Sequence, residues 1–396
     1  MENHEETKTS KYSKNESIER YLCDSYEFRF NTIKSKSEFR KKDDAGIFIP
    51  ISTYHINTFW RELDRSGFNT TANNVKTIIF SDFAKKIDPL KEYFNRLIPG
   101  QNGAIEALAN TVIVSNPEKW TPYLTKWLVG VAANVLNDSK CCNHLCLVLT
   151  GGQGKFKTTF LDHLCPKCLQ SYLFTGKIDP QSKDTQTLIA EFLFINIDDQ
   201  LRELNKKDEN ALKNLITTPS VKYRRPYDIY IEEYPHTASF MASVNSTEFL
   251  TDPTGSRRFL AFEIVDINIE EATKIRMDEV YAEVMFLYHS GIRYWFNDIE
   301  IDELNLNNNR YQVQTLEYEM LIKGFIVPID LDNNVEYLTN SDILNYLQAH
   351  TTHTLSSKRL GEALLKTRFV KVSKRLNGNP AYCYGVIKVT PNPFNQ

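Results

Sequence analysis

The chain has 396 residues, 41% hydrophobic and 24% charged, with a net charge of −3. That length supports two or three domains around a full core, in a composition typical of globular proteins. No run approaches the roughly 18 consecutive apolar residues of a membrane span, and the polar stretch from Met1 to Ser17 does not read as a secretory signal. Seven unevenly spaced cysteines form no disulfide framework, so the chain reads as cytoplasmic, with reduced thiols and no membrane partner.

Residues 1–17 read as a disordered tail and 18–137 as a mostly helical N-terminal region without catalytic spacing. Val75-Lys-Thr-Ile-Ile-Phe-Ser-Asp fits a short strand or a helix edge, and Pro99-Gly100-Gln101-Asn102-Gly103 a loop. A helix is expected from Thr121 as N-cap and Pro122 as first helical residue, with Leu124, Trp127, Leu128, Val131 and Val135 on one face.

Residues 138–300 read as an α/β nucleotide-binding core of the P-loop type. Three apolar runs, Leu145-Cys-Leu-Val-Leu-Thr, Phe192-Leu-Phe-Ile-Asn-Ile and Ser239-Phe-Met-Ala-Ser-Val, each stop at a glycine or polar residue. Buried parallel strands have this appearance, and ligands gather at their carboxyl ends. The first run enters Gly151-Gly152-Gln153-Gly154-Lys155-Phe156-Lys157-Thr158-Thr159. A P-loop reads Gly, four residues, Gly-Lys, then Ser or Thr. Lys157 and Thr158 complete that pattern, with Phe156 in place of the second glycine. Main-chain N–H groups and the start of the following helix would hold the phosphates of ATP, Lys157 the β- and γ-phosphates, and Thr158 a Mg²⁺ ion.

Asp198 and Asp199 end the second run in a Walker B layout, one carboxylate serving Mg²⁺ and the other the attacking water. Asn245 ends the third, beside the γ-phosphate. Asp252-Pro-Thr-Gly-Ser-Arg257-Arg258-Phe259 presents two arginines able to reach a neighbouring subunit's nucleotide. Val221-Lys222-Tyr-Arg224-Arg225-Pro-Tyr227 interleaves basic and aromatic residues, fitting either a nucleic-acid grip or a salt-bridged hairpin. Cys165-Pro-Lys-Cys168 has zinc-like spacing, with Cys141, Cys142, His144 and Cys146 upstream, yet Cys146 lies within the first apolar run.

Residues 301–330 read as a helical connector, helical from Leu304 to Ile322. Residues 331–396 read as a winged-helix-like module, with two helices, capped by Ser341 and by Ser356 or Ser357, and a hairpin turning at Asn377-Gly378-Asn379-Pro380. Leu338 to Pro391 carries a net +6, leaving −9 elsewhere, so a basic end sits on an acidic body. Lys358, Arg359, Lys374 and Arg375 are its candidate nucleic-acid contacts, the alternative being a solvated basic face. The competing functions are a DNA-binding initiator with little turnover and a nucleotide-gated defence or signalling ATPase.

Gly-x-Gln-Gly, Lys157-Thr158, Asp198-Asp199, Asn245 and Asp252-Pro-Thr-Gly-Ser-Arg-Arg-Phe together resemble the virulence-associated protein E family. Arg225-Pro-Tyr and Trp127-Leu-Val-Gly-Val-Ala fit it too, over about Ile18 to Lys323. The resemblance implies an AAA+-like, superfamily 3 helicase-type ATPase of phages and other mobile elements. Such a protein would act as a hexameric homo-oligomer on single-stranded or forked DNA, often beside a primase. Phe156 departs from the pattern, and no primase-like catalytic cluster is visible, so primer synthesis would come from another chain.

Overall fold

In the computed structural model, which describes residues 12–43, 46–225, 229–251, 256–328, 335–376, 379–389 and 393–394, the chain turns helical at Lys14. Helix α1 (Lys14–Ser25) thus starts inside the expected tail. The cause is a capping box: Glu16 N–H donates to Ser13 Oγ at 3.2 Å and Ser13 N–H to Glu16 Oε2 at 2.8 Å. Ile18 and Leu22, one turn apart, are buried. Strands β1 (Tyr26–Asn31), β2 (Lys36–Lys41) and β3 (Ile49–Pro50) follow, then α2 (Thr53–Arg65), α3 (Ala72–Ile79) and β4 (Lys85–Ile87). The strands form one sheet in the order β3-β2-β1-β4, so the region expected to be mostly helical also contains a sheet. Tyr26, Phe28 and Phe39 pack against Phe59 of α2, with ring centroids 4.9–5.6 Å away. Val75, Ile78 and Ile79 belong to α3 and fill the same core.

After α4 (Pro89–Arg96), α5 (Ala104–Asn110) and β5 (Val112–Val114) comes α6 (Pro117–Leu136). This helix begins before the expected Thr121 start, because Pro117 already occupies its first turn and Pro122 lies inside it. Pro122 removes one main-chain donor. Buried Trp120, Tyr123, Leu124, Trp127 and Leu128, and the bond from Trp120 Nε1 to Ala109 O at 3.0 Å, hold the helix across it.

The central sheet comprises β5, β6 (Cys146–Thr150), β7 (Leu173–Gly176), β8 (Phe194–Asp198), β11 (Ser239–Val244) and β12 (Phe259–Ile267), in the order β5-β12-β6-β11-β8-β7. Five of these strands run parallel and β5 is antiparallel to β12. The expected parallel α/β core is therefore present. Between these strands run α7 (Lys157–His163), α8 (Lys183–Glu191), α9 (Lys206–Thr217) and the hairpin β9 (Ser220–Tyr223)–β10 (Glu232–Pro235), and after them α10 (Ile269–Lys274), α11 (Met277–His289) and α12 (Asp298–Asn308). Leu147 and Leu149 enter the core on one face, Cys146 and Val148 that on the other, which is why β6 reads as a continuous apolar run.

The first compact unit ends at Tyr311 and a second spans Gln312–Gln396. The single helix expected from Leu304 to Ile322 is broken here. Buried Tyr311 anchors the chain through its carbonyl, which accepts from Phe249 and Leu250 N–H at 2.9 and 3.0 Å, and Thr315 caps the next helix. The second unit contains α13 (Leu316–Gly324), β13 (Phe325–Ile326), β14 (Glu336–Leu338), α14 (Asn340–Gln348), α15 (Ser357–Lys366) and the hairpin β15 (Lys371–Leu376)–β16 (Asn379–Lys388). Thr339 rather than Ser341 caps α14, in a capping box with Asp342, and Ser356 caps α15. Its core joins Leu321, Ile343, Leu347, Leu360, Leu364 and Val386. Asn377 and Gly378, at the expected hairpin turn, lie outside the described residues. Among the described residues no helix is long and apolar enough to cross a membrane.

Candidate functional site

Strand β6 runs into the glycine loop at Gly151, whose φ is 133° and where a Cβ would meet Ile264 O at 2.8 Å. No side chain fits there. The loop closes at exposed Phe156, which stands in the left-handed region at φ 54°, and α7 starts with Lys157. Lys157 is buried and turns back into the loop. Its Nζ donates to Gly151 O at 2.9 Å, Gly152 O at 2.7 Å and Asn245 Oδ1 at 3.1 Å. Burial lowers its pKa from the ordinary lysine value, against the opposing pull of Asp199. Lys155 instead reaches Val265 O. Gln153, Gly154 and Thr159 are exposed.

The ends of β6, β11 and β8 lie side by side, with Val244 opposite Thr150 and Ser243 opposite Asp198. Asp198 Oδ1 accepts from Thr158 Oγ1 at 2.9 Å and from Ser243 Oγ at 2.7 Å. Asp199, in the left-handed region at φ 47°, accepts from Asn245 N–H at 3.1 Å and from Asn245 Nδ2 at 2.9 Å. Such a conformation is costly for a non-glycine residue and concentrates at functional sites. Two lines of contact result: Lys157–Asn245–Asp199 and Thr158–Asp198–Ser243. The sequence did not single out Ser243, because a serine within an apolar run carries no motif.

The hydroxyl of Thr158 and the carboxylate of Asp198 are hard oxygen donors side by side. They fit Mg²⁺, which takes one or two protein oxygens and fills the rest of its shell with water and phosphate. Among the described residues no group of three His, Cys, Asp or Glu is gathered to hold a metal alone. Cys146 and Cys165 are buried, Cys168 is exposed, and all seven cysteines are free.

Arg257 and Arg258 are not part of this gathering. Phe259 pairs with Cys146 and Glu263 with Thr150, so the arginines stand at the opposite end of the sheet. Four residues of strand separate the two levels, about 13 Å at about 3.3 Å per residue. Arg258 Nε is buried without a hydrogen-bond partner, and burial, then Arg257, lowers the Arg258 pKa from the usual guanidinium value. Asp252 to Gly255 lie outside the described residues.

Of the three cations around β9, Arg225 is not available to nucleic acid. It is buried, donates to Thr32 O at 3.3 Å and Ile33 O at 2.6 Å, and stacks 4.1 Å over the Tyr234 ring. Its Nε, without a hydrogen-bond partner, lies 3.8 Å from Glu191, so the guanidinium is buried against its own chain rather than presented to solvent. Lys222 is exposed and faces Glu233 at 3.4 Å across the hairpin, and Arg224 is exposed. Pro226 and Tyr227 lie outside the described residues, while Ile229, Tyr230 and Ile231 beyond them are exposed. In the second unit Lys358 and Arg359 on α15 and Lys374 and Arg375 on β15 are exposed.

A family model for the virulence-associated protein E-like domain matches residues 100–313, from before α5 to just past the end of the first unit. Among solved structures, the apo NrS-1 C-terminal region is similar in fold, with a TM-score of 0.52 at 11% identity, over 94% of this chain and 98% of that one. A second apo structure of that region, in an A form, gives 0.49 at 11% identity, over 94% and 99%. Among curated protein sequences none matches. With more than half of its length matched by the family model, the chain belongs to the virulence-associated protein E-like family.

Proposed function

We propose that this protein is an ATP-driven DNA helicase or translocase of the superfamily 3 type, working as a hexameric ring in the replication of a mobile element or phage. The observation that carries the reading is the meeting of Lys157, Thr158, Asp198, Asp199 and Asn245 at three adjacent strand ends. The carboxyl ends of parallel strands are where α/β sheets bind their ligands. The glycine loop is read as a P-loop whose main chain approaches the phosphates at Gly151 and Gly152. Lys157 binds the β- and γ-phosphate oxygens, and Thr158 and Asp198 hold Mg²⁺, which when bound neutralises phosphate charge. Asp199, oriented by Asn245, accepts a proton from or aligns the attacking water. Arg257 and Arg258, too far from their own loop, act on the nucleotide of the adjacent subunit.

DNA is the proposed polymer. Lys222 and Arg224 on the β9–β10 hairpin and the exposed Tyr230 beyond them suit a single strand, cations meeting phosphates and a ring stacking on a base. The second unit's helices and basic hairpin are read as a winged helix, with Lys358, Arg359, Lys374 and Arg375 as phosphate contacts. A primase partner would be supplied by another chain. The test is ATP hydrolysis by the purified chain with and without single-stranded DNA, paired with unwinding of a forked duplex. Stimulation by DNA and strand separation are expected. DNA binding with negligible turnover would replace the motor by an initiator, and turnover indifferent to DNA would point to a signalling ATPase.

A further inference from the structure

A further cation stands at the carboxyl end of the sheet, outside every motif of the sequence. Past Asp199 the chain makes a 3-10 turn, Leu201–Glu203, that is fixed on several sides. Leu201 is buried, and Asp199 N–H donates to Ser243 O at 3.0 Å. Gln200 exchanges two hydrogen bonds with the Ile178 main chain, at 2.8 and 2.6 Å, and Glu203 pairs with Lys177 at 2.5 Å. Arg202 is the member of the turn left over. Together with Gly151, Gly152, Lys155 and Asn245 it lines an open cleft of about 520 Å³, whose β12 side also carries Glu263, and among the described residues it forms no ion pair with a carboxylate. Lys155, the other cation on this cleft, is already engaged with Val265 O. A surface arginine with no task usually swings on a mobile stem. This one is exposed, but it is carried by a turn whose neighbours are all tied down, so its main chain is fixed at the rim of the cleft and its guanidinium reaches the cleft from there.

The cleft has a direction. Ile264 and Val265 line one side of it, and Arg202 and Asn245 the side that leads to Asp199. Asn245 also accepts from Lys157, so this is the side where a terminal phosphate meets the acids. A guanidinium there offers paired N–H donors to phosphate oxygens. Arg257 and Arg258 cannot do this within their own subunit, because they lie at the other end of the sheet.

We propose that Arg202 contacts the terminal phosphate of a nucleoside triphosphate held by its own subunit, and so distinguishes triphosphate from diphosphate. This rests on the nucleotide-site reading above. The experiment is calorimetric titration of the full chain, with Mg²⁺, by AMP-PNP and by ADP, comparing wild type with Arg202→Ala and Arg202→Lys. The Ala variant should lose about tenfold or more in AMP-PNP affinity, as expected for one charge-assisted contact. Its ADP affinity should stay within about twofold of wild type, which also shows that the fold is intact, and the Lys variant should keep part of the difference. Unchanged AMP-PNP affinity, or an equal loss for both nucleotides, would overturn the role of Arg202. Failure of the wild type to bind either nucleotide would overturn the nucleotide site itself. Mixing Arg202→Ala with Lys157→Ala protein should recover no hydrolysis, since both lesions fall on the same half-site. Recovery would place Arg202 across a subunit interface and contradict the claim.

Discussion

The two ends of the central sheet are built on opposite plans. At the carboxyl end the polar groups of the glycine loop and the strand ends find partners within the chain: Lys157 with Asn245, Asn245 with Asp199, Thr158 and Ser243 with Asp198. At the amino end Arg257 and Arg258 line a cavity of about 280 Å³ walled by Trp127, His144, Tyr294, Trp295 and Phe296. Among the described residues no carboxylate meets them, and Arg258 Nε is buried without an acceptor. A buried donor left unpaired costs about 1–3 kcal/mol. One end is organised before any ligand arrives. The other is short of the oxygens that would complete it, and in the proposed ring these would be the phosphates of a nucleotide bound to the adjacent subunit.

The largest effect that would break this contrast is at the loop. Lys157→Ala should lower ATP turnover by at least about 10²-fold, the scale of removing a preorganised charge at the reacting phosphate. Lys155→Ala should cost only a few fold, because Lys155 is taken up by Val265 O and makes no contact with Asn245 or the acids. Steady-state hydrolysis of the two variants checks this, and a dead Lys155→Ala protein would reverse the register of the loop.

At the amino end the expected effect is on stability. His236, just before β11, is buried, its Nδ1 within 2.6 Å of Thr218 O and its Nε2 unpartnered. Burial lowers its pKa from 6.5 to about 4. Above pH 6.5 the ring is neutral in both states. As pH falls toward about 4 the unfolded chain takes up a proton that the folded chain refuses, so stability falls by up to about 3 kcal/mol. Thermal melts from pH 7 to pH 4 should therefore drop more steeply for wild type than for His236→Gln. Parallel curves would show that the ring titrates as freely when folded.

The smallest effect sharpens the view of the loop. Phe156 is exposed and holds a left-handed φ that glycine adopts without strain. Phe156→Gly should raise stability by about 1 kcal/mol or less in a denaturant titration, strain relief outweighing the entropy glycine adds to the unfolded chain. A loss would mean that the ring supports the loop by packing.

The strand ends were legible because a buried parallel strand is an apolar run and its last residue is where polarity returns. Leu147 and Val148 face different cores, yet both must be apolar, so the run announces itself and Gly151, Asp198 and Asn245 mark the edge. The N-terminal sheet was harder to read. Tyr26-Glu-Phe-Arg-Phe-Asn alternates at period two, but Phe39 is the one large apolar residue of its partner β2. Arg225 misled for another reason. A basic residue among tyrosines looks the same whether it meets phosphates or the carbonyls of Thr32 and Ile33, nearly two hundred residues earlier in the chain. Arg202 carries no sequence signal at all, since what singles it out is the tethering of Gln200, Leu201 and Glu203 around it.

The central claim is that the two ends of the sheet become one site only between subunits. Its most direct test mixes Lys157→Ala with Arg258→Ala protein and follows ATP hydrolysis at fixed total concentration. Each variant alone should be nearly inactive. In the mixture an intact loop from one subunit meets an intact arginine from the other, so hydrolysis should recover in part, and wild-type turnover per subunit should rise with protein concentration. No recovery at any ratio, together with wild-type turnover per subunit independent of concentration, would contradict the shared site and leave the arginines a role within their own subunit.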